Sequence, residues 1–184
     1  MKSELPLILE DYLRQVETLK AEVKAMAASV PEEQLSRRPE PSRWSAIENV
    51  DHLRATVQQY LPALDTAMAE ASKCEPAENE PRYGFIWRIF LSTLEPPVRR
   101  RFRAPKSFLP QAQTSAVETL DGFLAAHDAL IERIHRAAEY DLKSVKVTSP
   151  ATPLLKPPLG CVLAMMAAHG RRHLWQARRA IGPA

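Results

Sequence analysis

The sequence predicts an all-α protein, and three observations carry that reading. Five glycines in 184 residues leave few positions for tight turns, while sixteen prolines fall mainly between long runs rich in Ala, Leu, Glu and Arg. Apolar residues inside those runs recur every three or four positions, the period of a helix with one buried stripe. With 45% hydrophobic residues, a chain of this length has enough apolar material for one compact core, so residues 1–184 are taken as a single domain.

Helix one is expected from about Leu7 to Met26, where Leu9, Tyr12, Leu13, Val16, Leu19, Val23 and Met26 make the stripe. The three prolines of VPEEQLSRRPEPSRW, residues 30–44, end it. Helix two starts at a marked point: Ser45-Ala46-Ile47-Glu48 has capping-box spacing, in which a serine oxygen and a glutamate side chain satisfy free backbone N–H groups reciprocally. Its stripe is Ile47, Val50, Val57, Leu61, Leu64 and Met68, and it runs to roughly Ser72, with a kink or local break expected at Pro62.

Residues 74–111 hold six prolines, the aromatic run YGFIWRIF and the basic run VRRRFRAPK, and read as a long connection carrying one short helix from Phe85 to Leu94. Core packing is the default for the aromatics. Helix three follows, from about Ser115 to Tyr140, with Val117, Leu120, Phe123, Leu124, Leu130, Ile131 and Ile134 facing inward. A proline-rich segment, SPATPLLKPP, leads into helix four, from about Pro158 to Ile181. Four long amphipathic helices with one extended connection between the second and third predict a four-helix bundle with a long crossover there.

The formal net charge of +3 is modest and no nucleic-acid-binding module is recognisable, which disfavours a nucleic-acid partner. The cluster Arg99, Arg100, Arg101, Arg103 and Lys106 reads first as a solvated loop and second as an anion site, with Arg100, Arg101 and Arg103 its candidate residues. Cys74 and Cys161 form no CxxC pair, which argues against a disulfide scaffold and a cysteine zinc site and fits a reducing cytoplasm. The N-terminal MKSELPLILEDYLRQ lacks the apolar stretch of a secretory signal, and no apolar run approaches the ~20 residues of a membrane span, so a soluble protein is expected.

Histidines are where the chemistry concentrates. His169 and His173, in HGRRHLWQARR, are four residues apart, which on a helix puts two imidazoles about 40° apart on one face and ~6 Å apart along the axis, within reach of one metal ion. Helix four's stripe (Leu159, Val162, Leu163, Met166, Ala177, Ile181) includes His173 and has His169 at its edge, with Arg171 and Arg172 assigned to the outer side. Taken alone, the pair also fits two partly exposed surface histidines, and the choice turns on a third ligand. His52 lies two turns into helix two, on a face of small residues (Ser45, Thr56, Ala63, Ala67), and spacing leaves it open between a ligand and an exposed side chain. His127 and His135, flanked by charges on helix three, read as surface histidines, with His127–Asp128 a weaker candidate for a pair behind a metal ligand.

The combination of WSAIENVDHL with AAHGRRHLWQARR resembles the DinB-like superfamily of small bacterial proteins, whose relatives include bacillithiol transferases and mycothiol-dependent isomerases and which is distinct from the DNA polymerase of similar name. The resemblance implies a four-helix bundle, a long crossover, a divalent metal held by His52, His169 and His173, and a homodimer. Three neutral imidazoles suit zinc or nickel foremost, with iron, cobalt or manganese as further options. Open positions on such an ion would serve thiol transfer or hydrolysis on a small molecule, a low-molecular-weight thiol being the partner the relatives suggest. A non-catalytic metalloprotein is the alternative. Glu48, one turn before His52, is a weak candidate for a catalytic base, its capping role being sufficient explanation; Asp51 is weaker still. Cys161 reads as a buried thiol.

Overall fold

The computed structural model describes residues 5–74, 83–97, 104–111 and 115–182. Arg99, Arg100, Arg101 and Arg103 lie outside these, and with them most of the proposed anion cluster. Among the described residues the regular structure is helical: α1 (Leu7–Ser29), α2 (Glu32–Ser36), α3 (Ala46–Ala69), α4 (Phe85–Leu94), a 3-10 turn (Lys106–Phe108), α5 (Ala116–Ala137) and α6 (Leu159–Ile181). The four long helices, α1, α3, α5 and α6, are those the apolar periodicity predicts, and α4 has the predicted bounds. The short α2 is an addition inside the proline-rich break. Pro31 precedes it with a preset φ, Glu32 and Glu33 occupy its first turn where the helix dipole favours negative charge, and Leu35 is its buried anchor.

The helix starts follow local chemistry. Ser45 and Ser115 each accept from the backbone N–H three residues on, and Glu48 and Glu118 each accept from the cap's own N–H, so α3 and α5 both open on a complete capping box. Pro62 causes no local break. It lies on the exposed face of α3, where the carbonyl it leaves without a helical donor is open to water.

Helix α3 packs against both α5 and α6, and α1 packs against the same two helices. Their apolar faces make two buried clusters. One is built around Leu9, Leu64, Leu130, Ile134, Val162 and Leu163, and the other around Val23, Val50, Leu53, Phe123, Leu174 and Ala177. Ahead of α6, residues 145–149 run antiparallel to 155–159, with Val147 N–H donating to the Pro157 carbonyl and Leu159 N–H to the Val145 carbonyl, both at 2.9 Å. This pairing satisfies backbone groups that the prolines of SPATPLLKPP leave outside any helix.

Three expectations change. Val117 is exposed, and the inward positions of the first turn of α5 are Ala116 and Thr119. The aromatic run is not core: Phe85 and Ile86 on α4 are exposed, and Leu94 is the one buried residue of that helix, which rests on α6. His127 is buried rather than on the surface. It lies one turn after Phe123 and one before Leu130, so the same period that buries those two carries it inside.

Candidate metal centre

Helix α3 presents His52 and α6 presents His169 and His173, and the three imidazoles meet where these helices pack. One ring nitrogen of each lies within 4.8 Å of the others. The ring centroids of His52 and His173, and of His169 and His173, are 4.4 Å apart. His52 and His173 are buried and His169 is half-buried. His135 stays exposed on α5, away from this group.

The tautomers follow from the neighbours. His52 Nδ1 lies 2.6 Å from the Phe108 carbonyl oxygen, an acceptor only, so Nδ1 carries the proton and Nε2 keeps its lone pair. That Nε2 lies 3.2 Å from Nε2 of His169. His173 Nδ1 donates to Asn49 Oδ1 at 3.0 Å, and Asn49 Nδ2 donates in turn to the Ser45 carbonyl at 2.8 Å, which fixes which way the amide points. The start of α3 therefore orients the His173 imidazole on α6. Helical geometry explains the coincidence: Ser45, Asn49 and His52 are four and three residues apart and share one face.

Burial holds all three imidazoles below their ordinary pKa. For His169 and His173, which lie well below it, loss of water is the largest cause, followed by the neighbouring histidines and Arg172. For His52, burial outweighs the Phe108 carbonyl and Asp51, which act in the opposite sense. All three rings are thus neutral near pH 7, as metal ligation requires. Trp44 covers the group, its ring centroid 4.8 Å from that of His52 and 6.0 Å from that of His173.

The donor set fits a divalent ion. At zinc–nitrogen distances of ~2.0–2.1 Å, tetrahedral neighbours are about 3.3 Å apart, and the His52–His169 separation of 3.2 Å matches this. His52 Nε2 keeps a lone pair there, which can accept a hydrogen bond from His169 Nε2–H or, with His169 in the other tautomer, face a cation between the two nitrogens. Partners holding the outer nitrogens of His52 and His173 are what metal-ligating histidines use to fix ring and tautomer. On this basis Asn49→Leu, which removes the acceptor from His173 while keeping volume, is expected to weaken divalent-metal affinity about 10–100-fold, read by competition with a chelating indicator dye. Unchanged affinity would show that the amide has no part in orienting the ring.

A cavity of ≈ 860 Å³ opens beside the imidazoles. His52, Thr56 and Tyr60 line it from α3, Met165, Arg172 and Trp175 from α6, and Phe90 and Leu94 from α4, with Phe108 of the 3-10 turn closing one side. The segment between α3 and α5 thus contributes walls through α4 and the 3-10 turn.

The other candidates fall elsewhere. Glu48 is engaged by the Ser45 cap and by Arg38, whose Nε donates to Oε2 at 2.8 Å, and it does not line the cavity, so the structure gives it no place as a base. Asp51 accepts from Arg54 Nε and from the Gln111 N–H, both at 2.6 Å. It ties the second half of the connection to α3. Cys161 is buried, does not line the cavity, and its thiol is pushed up to about 11 by burial; Cys74 is exposed. Asp128 pairs with Lys20 on the surface, leaving His127 to donate to the Phe123 carbonyl at 2.8 Å.

Arg172 was missed. The residues between the two helix-four histidines do not both face outward: Arg171 is exposed and pairs with Glu95, whereas Arg172 is buried against the cavity, with one guanidinium nitrogen donating to the Thr93 carbonyl at 3.0 Å. The available signal was angular, since Arg172 follows His169 by three residues and so shares its side of the helix.

No curated protein and no solved structure matches the sequence. The family model described as the DinB superfamily matches residues 15–177, a span that takes in α3, α5 and all three clustered histidines. With that match over most of its length, the chain belongs to the DinB superfamily.

Proposed function

We propose that this protein binds one divalent metal ion through His52, His169 and His173 and acts on a small molecule held in the adjoining cavity, by thiol transfer or by hydrolysis. The observation that carries this reading is the convergence of three neutral imidazoles at the edge of a cavity large enough for a small organic substrate. Zinc or nickel is the ion proposed, with iron, cobalt or manganese as alternatives of the same charge. When bound, such an ion lowers the pKa of a coordinated water or thiol and polarises an electrophile.

The chain's own residues supply the rest. Phe108 and Asn49 hold two imidazoles in the ligating tautomer, Trp44 screens them from bulk water, and Arg172 adds fixed positive charge to the cavity wall. We also infer that α1, α3, α5 and α6 form a four-helix bundle, with the segment between α3 and α5 as its crossover. The packing of α3 and α1 on the same pair of helices supports this.

A second reading, a metal that only staples helices, has one observation in its favour: the histidines join α3 to α6. The two readings separate by assay. Metal-loaded protein is mixed with each of several cellular thiols and a model electrophile, and thiol consumption is followed. A rate above background that vanishes on chelation and returns on metal addition supports the enzyme; background rates throughout, with one ion bound per chain, favour the staple.

A further inference from the structure

Thr56 carries an unexplained hydroxyl. It lies one helical turn after His52, is buried, lines the cavity, and its Oγ1 is the one buried side-chain polar atom among the described residues without a hydrogen-bond partner. A helical threonine ordinarily bonds back to the carbonyl four residues earlier. Here that bond is not made, and a buried hydroxyl without a partner is costly enough that such groups are rare. The cavity has a second bias. Arg43, Arg172 and Arg179 are among its lining residues, and among the described residues no Asp or Glu lines it. Arg43 pairs with Glu40 at the rim and Arg179 stacks over Trp175, while Arg172 is the buried one of the three. The remaining wall is largely apolar and aromatic, with Trp44, Phe90, Leu94, Phe108, Met165 and Trp175.

We propose that the cavity takes an organic carboxylate with an apolar body, and that the Thr56 hydroxyl donates to its carboxylate oxygen about 6 Å along α3 from His52, within the positive field of Arg172. Thr56 is on this account a specificity-determining residue. The inference rests on reading the cavity as the substrate side of the three-histidine site, and it names the class of that substrate.

The test uses full-length protein stripped of metal by chelation, so that a carboxylate cannot gain affinity from an ion, with hydrocinnamate and hydrocinnamyl alcohol as probes. Binding is followed by tryptophan fluorescence, since Trp44 and Trp175 line the cavity. Hydrocinnamate is expected to bind about tenfold or more tightly than the alcohol, Thr56→Val to lose about tenfold in hydrocinnamate affinity, and Thr56→Ser to restore it. Ligand-free Thr56→Val is expected to melt at or above the wild-type temperature, because the valine removes an unsatisfied polar atom at constant shape. Equal affinity of the wild type and Thr56→Val for hydrocinnamate, or no binding of the probe at all, would overturn the proposal. A lower melting temperature with unchanged binding would overturn it too, as the hydroxyl would then be structural. Metal content of Thr56→Val is measured alongside. A protein that takes up no metal but shows these preferences refutes the metal reading alone, whereas full metal occupancy without them refutes this inference alone.

Discussion

His169→Ala, expressed and purified beside the wild type, is expected to retain less than about a tenth of the divalent metal that the wild type carries, which is close to one equivalent per chain. The reason is geometric. His52 and His173 each have an outer partner that holds them in place, but two imidazoles from two helices leave an ion with half of its usual tetrahedral shell unfilled by protein. Loss of one nitrogen donor therefore removes most of the affinity. His173→Ala should behave alike, with Asn49 left without its donor as well. His135→Ala is the control, since its exposed ring on α5 should leave metal content unchanged. Equal metal in wild type, His169→Ala and His173→Ala would refute the site. Because an ion held by the three histidines would join α3 to α6, wild-type melting temperature should rise on metal addition and that of His169→Ala should not.

The second large effect concerns His127. Burial lowers its pKa from 6.5 to about 4, against the Phe123 carbonyl, which acts in the opposite direction. Its ring packs on Phe123 with centroids 4.0 Å apart, a place with no room for a hydrated cation. In the unfolded chain the imidazole takes up a proton below its ordinary value, while in the folded chain it resists doing so. The stability that the neutral ring permits is thus fully present above about pH 6.5 and is lost as pH falls toward 4. The folded state is expected to lose about 3 kcal/mol from this group over that interval. His127→Asn keeps a short N–H donor for the Phe123 carbonyl and has no charge to gain. Chemical denaturation of metal-free wild type and variant from pH 7 to pH 4 should show the wild type falling more steeply, the difference growing to about that amount. Parallel curves would show that His127 is protonated in the fold without penalty.

Much of this architecture is legible in the sequence because its signals are local or periodic. The capping box at Ser45 fixes the start of α3, and the three-to-four-residue spacing of Leu9 through Met26 fixes the buried face of α1. The pair His169 and His173 is visible for the same reason, since four residues make one helical turn. His52 is different in kind. Its approach to that pair depends on how α3 packs against α6, which spacing within either helix cannot state and which the family resemblance anticipated.

What the sequence hid came from charge-based reading of local context. His127 has Asp128 beside it, yet the neighbour on the next turn decides burial, and there Phe123 and Leu130 place it inside. Arg172 looks solvated in HGRRHLW, although its angle on α6 turns it toward the histidines. The Phe108 carbonyl, the Asn49 amide and the unsatisfied Thr56 hydroxyl carry no motif at all, because each acquires its meaning only from a neighbour on another element or from the cavity.

The most direct measurement of the central claim is the X-ray absorption spectrum of zinc-loaded protein at the zinc edge. Three imidazoles and no thiolate predict a shell of nitrogen and oxygen scatterers at ~2.0–2.1 Å, with the outer-ring scattering of about three histidines. In His169→Ala that imidazole contribution should fall or the zinc should be absent. A sulfur shell at ~2.3 Å, or a spectrum of hydrated zinc without imidazole scattering, would contradict a centre built from His52, His169 and His173.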